Sequence, residues 1–221
     1  MKIRGENKLW RMGCALVGLA LLTAASGCAG RSEEPVTLRI GVLPILDALP
    51  LYVAESEGYF TAADVQVTLV PVASAAERDQ LLQAGQLDGV INDLVAVALY
   101  DRESPRLVAV RYAMQATSTT PQFRLLAAGN SAITAPADLR GVPIGHWQGT
   151  VIEYVTERLL QQEGLLPTEI VSLAVPKISD RLALLEAGQL QAVTLPEPLA
   201  SLAVQQGARV VLDDTRHPEF S

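Results

Sequence analysis

Short runs of apolar residues alternate along the chain with longer segments in which apolar residues recur at helical spacing. The run at residues 36–44 (VTLRIGVLP) alternates apolar and polar side chains, as a half-buried strand does. Further strand-like runs occupy residues 64–72, 88–91, 106–113, 123–128, 169–175, 191–195 and 208–212. Helix-like segments occupy residues 50–58, 74–85, 92–100, 150–164, 179–188 and 196–207. Strands separated by helices of this length are typical of βαβ units, so the pattern predicts an α/β fold with parallel-rich sheets flanked by helices.

One polar segment interrupts this alternation. Residues 114–122 (MQATSTTPQ) are rich in Thr and Ser. Their apolar residues follow neither the alternation of a strand nor the spacing of a helix, which is typical of a connecting segment. The sequence therefore predicts two lobes joined by a crossover. The predicted boundaries are residues 36–115 for lobe I, 116–122 for the hinge crossover, 123–212 for lobe II and 213–221 for the start of a return crossover.

A phrase of the sequence occurs twice, once on each side of this crossover. LLQAGQLDGVINDL begins at Leu81 and LLEAGQLQAVTLPEP begins at Leu184. Each copy predicts the end of a helix, a terminal glycine, a buried strand and the start of another helix. Because carboxyl ends of strands in open α/β sheets face the ligand crevice, we expect the divergent ends of the two copies to form facing walls of one cleft. Two βα units also look alike simply because the architecture repeats, and that alternative leaves the placement unchanged.

The first 27 residues predict a secretory signal peptide. Four basic residues precede an apolar run at residues 12–25, which is shorter than the about 20 residues that cross a bilayer. Small residues then lead into Cys28, as in the lipobox of bacterial lipoproteins, although Ala25 stands where that class prefers Leu. We expect Cys28 to be lipidated and residues 28–35 to form a tether, so that the exported protein is anchored to the cell membrane and faces the periplasm or the exterior. The alternative is an ordinary signal peptide with a chance cysteine at the cut.

Charge and composition exclude several classes of function. Residues 1–27 carry four of the 17 Lys and Arg and one of the 24 Asp and Glu, so the remainder has a net charge of −10. Such a surface disfavours nucleic acid and favours a soluble monomer. No His/Cys cluster has metal spacing, no phosphate-binding loop is present, and Cys28 is the one thiol outside the signal peptide. We therefore predict no metal, no cofactor and no catalytic residue.

Four stretches in order carry a resemblance to a known family: LRIGVLPILDALPLYVAESEGYF, LLQAGQLDGVIND, DLRGVPIGHWQGTVIEYVTERLLQQEGL and LLEAGQLQAVTLPEP. Together they resemble solute-binding proteins of bacterial ABC importers, in the group for nitrate, sulfonates, taurine and thiamine-pyrimidine precursors. The resemblance implies a two-lobed periplasmic-binding-protein-like fold, a small-molecule ligand held between the lobes, and a membrane permease as partner. Such proteins cross back to complete the first lobe, so we expect lobe I to be incomplete here, in a fragment or a shortened relative. The alternatives are a biosynthetic enzyme of the same fold group and a ligand-sensing lipoprotein.

Seven residues are candidate ligand contacts. The resemblance implies the loop after the first strand, where Asp47 is the one charged side chain. Asn92 and Asp93 follow a predicted strand, and each could contact ligand or merely cap a helix. Four more candidates follow the strands of lobe II: Trp147, Gln148, Thr150 and Glu197.

The candidates in lobe II have alternative roles. The turn at residues 146–150 opens a helix whose free N–H groups could receive an anionic or carbonyl oxygen, while Thr150 and Glu153 fit a capping box. Trp147 could stack on a planar ligand or pack between the lobes, and Glu197 also suits the start of a helix. Because the charged candidates are all acidic, we expect a cationic or amine-bearing ligand such as an aminopyrimidine, unless a basic side chain turns inward: Arg111, Arg124 or Lys177.

Overall fold

Two separate sheets organise the computed structural model, which describes residues 36–221. The predicted signal peptide, Cys28 and the tether lie outside the described residues. Within them the strands are β1 (Val36–Val42), β2 (Val65–Pro71), β3 (Gly89–Val90), β4 (Phe123–Ala127), β5 (Pro143–His146), β6 (Val171–Ala174), β7 (Ala192–Pro196) and β8 (Arg209–Asp213). The α-helices are α1 (Leu49–Ser56), α2 (Tyr59–Ala62), α3 (Ala75–Gln83), α4 (Leu94–Tyr100), α5 (Val151–Gln162), α6 (Ile178–Glu186) and α7 (Leu199–Gln205).

The two sheets differ in the direction of their strands. The first has the order β2-β1-β3, and all its neighbours are parallel. The second has the order β6-β5-β7-β4-β8, in which β4 runs antiparallel to both β7 and β8. We use lobe I for the part around the first sheet and lobe II for the part around the second. The α/β architecture and the parallel-rich sheets predicted from the sequence are confirmed, with β4 as the antiparallel exception.

The hydrophobic core is concentrated in lobe II. One buried cluster packs on the face of the second sheet that α6 and α7 cover, and another lies against α5. Leu43 and Val72, which follow β1 and β2, join the first of these clusters, so apolar contacts continue from lobe I into lobe II. Helices α1 and α2 bury no residue. The interface between lobes is therefore better packed than the outer face of lobe I.

The strand predicted at residues 106–113 is wrong. The backbone there is irregular, and the alternating Val108, Val110 and Tyr112 are 84%, 90% and 74% exposed. Oδ1 of Asp101 accepts hydrogen bonds from the backbone N–H groups of Arg106 and Leu107, at 2.9 and 3.1 Å. An alternating pattern makes a strand only where another strand offers backbone partners, and the edge strand β3 of lobe I is two residues long.

The repeated phrase folds the same way in both lobes, as predicted. In each copy a helix, α3 or α6, ends at a glycine with φ of +66°, a conformation that favours glycine. The bonds of a Schellman motif close both helix ends through equivalent residues: Gln86 N to Leu81 O and Gln189 N to Leu184 O, each 2.9 Å. Strands β3 and β7 follow at once. The shared letters of the two copies therefore specify a helix end and the turn into a strand.

No helix among residues 36–221 is long and apolar enough to cross a membrane.

Candidate functional site

A pocket lies between the lobes, where strands of both sheets end. The empty space of this pocket, including its opening to solvent, is about 560 Å³. Lobe I contributes the segment after β1, the start of α3 and the segment after β3. Lobe II contributes the segment after β5, the start of α6 and the end of β7. The divergent ends of the repeated phrase thus meet at one pocket, because Ile91, Asn92, Asp93 and Pro196 all line it.

Two buried arginines, Arg78 of α3 and Arg181 of α6, also line the pocket. Each is 1% exposed, and each precedes the first leucine of its copy of the repeated phrase by three residues. Each donates from Nη1 to the backbone carbonyl 13 residues further on, at 3.4 Å to Ile91 and 2.8 Å to Thr194. The two arginines therefore occupy equivalent positions, one in each lobe.

The starts of the two helices explain why these arginines share one pocket. Ser74 and Lys177 are the N-cap residues of α3 and α6, and an antiparallel bridge joins their backbones. Each arginine follows its N-cap by four residues, about one helical turn. The paired helix starts thus bring the two equivalent arginines to the same pocket.

Both guanidinium groups keep a donor without an acceptor. Nη2 of Arg78 and Nε of Arg181 are buried and have no hydrogen-bond partner in the part of the chain that the structure describes. Nε of Arg78 lies 2.8 Å from Oδ1 of Asp79, whereas Arg181 forms no ion pair within that part. Burial lowers the pKa of Arg181 to about 10, so this side chain is still protonated at neutral pH. Arg181 is therefore a buried positive charge at the wall of the pocket with a spare donor.

Asp93 is both a helix cap and a contact across the cleft. Its Oδ1 accepts from the Ala96 N–H of α4 at 2.7 Å and from the Val151 N–H, the first residue of α5 in lobe II, at 3.2 Å. Burial is the main cause that raises the pKa of Asp93. Asn92 also lines the pocket, and its Oδ1 accepts from the Asp93 N–H at 2.9 Å.

Asp47 lies on the same pocket wall. Its Oδ1 accepts from Nε2 of Gln122 at 2.9 Å, at the entry to β4. Burial is the largest cause that raises the pKa of Asp47, and the negative charge of Asp93 adds a smaller increase. The negative charge of Asp93 therefore disfavours ionisation of Asp47, as a smaller effect than burial.

The turn before α5 differs from its prediction. Trp147 and Thr150 line the pocket, but Oγ1 of Thr150 donates to the Trp147 carbonyl at 2.8 Å and caps no helix N–H group. Oε2 of Glu153 accepts from the Gly149 N–H at 2.8 Å. The predicted capping box is therefore wrong, because Thr150 turns back and Asp93 of lobe I accepts from Val151 instead. Two N–H groups that were candidates to receive a ligand oxygen already have acceptors in the protein.

Two predicted residues lie away from the pocket lining. Gln148 is exposed. Glu197 is buried, with Oε1 2.8 Å from Nε of Arg124 and Oε2 accepting from the Ser201 N–H at 3.1 Å. The structure thus gives Glu197 structural partners inside lobe II.

The expectation of an entirely acidic pocket is wrong. Arg124 contacts Glu197, while Arg111 and Lys177 are exposed, so none of the three basic side chains considered from the sequence lines the pocket. Arg78 and Arg181 do, and sequence reasoning missed them because they lie inside amphipathic helices. Extending the two copies of the repeated phrase upstream would have found them, since both read Arg-x-x-Leu-Leu.

His146, which precedes the pocket residue Trp147, adds no positive charge. It is fully buried, and neither ring nitrogen has a hydrogen-bond partner within residues 36–221. Burial is the largest cause that lowers its pKa, so the ring is neutral at neutral pH. In the same residues no group of three His, Cys, Asp or Glu side chains could hold a metal ion.

Comparison with solved structures identifies the fold. The alkanesulfonate-binding protein SsuA of Xanthomonas axonopodis pv. citri, bound to MOPS, matches with a TM-score of 0.66 at 24% identity, over 82% of this chain and 62% of that one. The periplasmic aliphatic sulphonate binding protein SsuA of Escherichia coli matches with a TM-score of 0.60 at 23% identity, over 83% and 62%. The periplasmic nitrate-binding protein NrtA of Synechocystis PCC 6803 matches with a TM-score of 0.65 at 17% identity, over 81% and 52%. These likenesses confirm the predicted periplasmic-binding-protein-like fold.

The chain spans about three-fifths of the length of the two sulfonate-binding relatives. A search of curated proteins found no match. The model of the NMT1-like family matches residues 31–218, which is most of the chain. On that match, together with the two-lobed fold, the protein belongs to the NMT1-like family.

Proposed function

We propose that the protein is the solute-binding component of an ABC importer. It captures a small molecule with an anionic group between its two lobes and delivers that molecule to a membrane permease. The observation that carries the proposal is Arg181, a buried guanidinium at the pocket wall with a spare donor and no carboxylate partner in residues 36–221.

The electrostatics of the pocket support an anionic group in the ligand. A buried charge without a counter-ion is costly, and an anion would relieve that cost at Arg181 while accepting its free N–H. Arg78 offers a second free donor from the opposite lobe, so one anion could contact both lobes. Similar structures include proteins described as binding alkanesulfonate and nitrate, which are both anions.

The sequence before residue 36 supports an anchor at the membrane. Cys28 would carry the lipid that holds the monomeric protein at the membrane surface outside the cytoplasm, and residues 28–35 would form its tether. The protein would release its ligand unchanged, so turnover of a bound molecule would favour an enzyme instead.

Calorimetry with the full chain tests the binding site. We expect ethanesulfonate or nitrate to bind, and Arg181→Gln to weaken that binding roughly 10- to 150-fold, the effect of losing a hydrogen bond to a charged group. Arg102→Gln is the matched control, because Arg102 is exposed and outside the pocket. Undiminished affinity in Arg181→Gln would contradict the proposal. Thermal unfolding of each variant separates loss of the site from loss of the fold.

Lipidation is tested separately in the host cell. We expect Cys28→Ser to move the protein from the membrane fraction to the soluble fraction, because a thioether-linked lipid needs the thiol. Membrane retention of the variant, with no lipid mass on the wild-type protein, would contradict the anchor.

A further inference from the structure

The charged side chains that line the pocket balance each other before any ligand binds. Arg78 and Arg181 supply positive charge, and Asp47 and Asp93 supply as much negative charge when both are ionised. Nε of Arg78 also lies 2.8 Å from Oδ1 of Asp79. An anionic ligand therefore enters a pocket whose lining residues carry no excess of positive charge.

The two aspartates of the pocket differ in the charges around them. The positive charge of Arg78 lowers the pKa of Asp93, against the larger effect of burial. In the described residues no cation lowers the pKa of Asp47, and the negative charge of Asp93 raises it. Nor does Asp47 form an ion pair within 4.0 Å in residues 36–221. Asp47 is therefore the negative charge in this pocket that the protein compensates least.

The fold holds Asp47 in place through contacts with lobe II. Oδ1 of Asp47 accepts from Nε2 of Gln122 at 2.9 Å, and the Gln122 N–H donates to the fully buried Asp214 at 3.0 Å. In the same turn as Asp47, the Leu46 N–H donates to the Glu197 carbonyl at 3.1 Å. The amide of Gln122 needs only an oxygen as acceptor, which an asparagine also offers. The position of residue 47 is thus fixed by bonds that do not require its negative charge.

We infer that Asp47 limits the charge of the ligand, so that the pocket accepts an anion with a single negative charge and discriminates against a dianion of similar shape. The inference rests on the proposed function and assigns this discrimination to one residue. The cost of removing an ion from water rises with the square of its charge. Attraction to the arginines would offset that cost, but repulsion from Asp47 grows in the same proportion as the attraction. Without the charge of Asp47, the lining would have an excess of positive charge, which favours a dianion most.

Methanesulfonate and sulfate test the inference by calorimetry on the full chain at neutral pH. Both anions are tetrahedral and similar in size, but methanesulfonate carries a single negative charge and sulfate is a dianion. Ionic strength is kept constant, because salt screens charges. We expect the wild type to bind methanesulfonate more tightly. The probes also differ in a methyl group, so the quantity that decides is the change in their affinity ratio on substitution.

Asp47→Asn removes the charge and keeps the acceptor for Gln122. We expect the variant to bind both anions more tightly, and the affinity for sulfate to rise roughly tenfold more than that for methanesulfonate. Asp64→Asn is the matched control and should leave the ratio unchanged, because Asp64 is exposed and its left-handed φ of 56° suits Asn.

A measurement on the wild type alone covers the case in which Asp47→Asn fails to fold. Both probes keep their charge while a carboxyl group with a raised pKa takes up its proton. Sulfate should therefore gain on methanesulfonate as pH falls from neutral toward the ordinary carboxyl pKa of about 4. Asp93, Arg78 and Arg181 line the same pocket and His146 lies next to it in sequence, so the share of Asp47 is the part of this gain that Asp47→Asn lacks.

The outcomes separate the inference from the proposed function. An affinity ratio that is the same in Asp47→Asn as in the wild type would overturn the role of Asp47 and leave the anion site standing. A wild-type ratio that does not change with pH would do the same. Absence of binding by both probes at millimolar concentration, in the wild type and the variant, would overturn the anion site and the inference together.

Discussion

Individual charged residues, rather than the shape of the cleft, give this pocket its chemical character. Arg181 is buried without a carboxylate partner in the described residues, and neither Asp47 nor Asp93 forms an ion pair within 4.0 Å there, although the charge of Arg78 lowers the pKa of Asp93 against the larger effect of burial. Each of these charges weakens the ligand-free protein, because a charge removed from water needs compensation. The ligand-free state is therefore less stable than it would be with neutral side chains at the same positions.

The loss of stability caused by the charge of Asp47 can be measured as a function of pH. Because the pKa of Asp47 is raised in the folded state, ionisation lowers stability as pH rises above the ordinary carboxyl pKa of about 4. We expect Asp47→Asn to unfold at a higher temperature than the wild type at neutral pH without ligand. The gain should shrink as pH falls and vanish once the carboxyl group is protonated in both folded and unfolded states. Thermal melts from acidic to neutral pH measure the difference in unfolding temperature. Asp64→Asn is the baseline, because Asp64 is exposed. A constant difference at all pH values would contradict burial of the charge as its cause.

At the scale of elements, two pairs of helix starts contact each other across the cleft. The starts of α3 and α6 meet through Ser74 and Lys177, and the starts of α4 and α5 share the carboxylate of Asp93. Helix starts carry unpaired N–H groups, so one acidic side chain can satisfy donors from two helices. The two lobes are therefore joined at the points where their backbones still need acceptors.

Two substitutions of Asp93 distinguish the effect of its capping hydrogen bonds on stability from the effect of its negative charge. We expect Asp93→Ala to lower the free energy of unfolding by about 0.5–2 kcal/mol, the usual effect of losing an N-cap, since both N–H groups lose their acceptor. Asp93→Asn should retain most of that stability. Urea unfolding monitored by circular dichroism measures both variants. If Asp93→Asn were as unstable as Asp93→Ala, the carboxylate charge itself would be stabilising, contrary to the raised pKa of Asp93.

For the whole molecule, packing is uneven between the lobes. Of the 31 buried apolar residues in the described part of the chain, six precede residue 101. Strands β4 and β7 of lobe II are buried almost throughout, while β2 of lobe I has no buried residue. Helices α1 and α2 leave large side chains such as Leu49 and Tyr59 exposed. Lobe I is therefore the part most able to open without unfolding lobe II.

Hydrogen exchange measures this difference directly. We expect amides of β1 and β2 to exchange much faster than those of β4 and β7 in the ligand-free protein, because regions with few buried contacts open at lower free energy. A ligand that binds to both lobes should slow exchange in lobe I more than in lobe II. Uniform protection across the four strands would contradict the packing argument.

Local sequence patterns predicted the structure correctly where neighbouring residues alone specify it. The repeated phrase predicted both helix ends and the meeting of residues 91–93 with Pro196 at one pocket, because glycine turns and strand ends are specified locally. The alternation at residues 106–113 predicted a strand that lacks a partner, since pairing depends on other segments. Arg78 and Arg181 were missed because burial of a helical arginine depends on what packs above it. The acceptor of the Val151 N–H lies 58 residues away in the other lobe, which no local pattern reveals.

The small number of buried residues in lobe I affects how long the protein survives in its cell. A ligand that joins the lobes stabilises the folded state in proportion to its concentration, and the lobe that gains most is the one that proteases would reach first. We expect the protein to persist longer in cells supplied with its solute than in starved cells, because the fraction open to degradation falls when the cleft is occupied. Pulse–chase half-lives with and without the solute would measure this. The amount of the protein would then follow the supply of the solute that we propose it binds, without any change in gene expression.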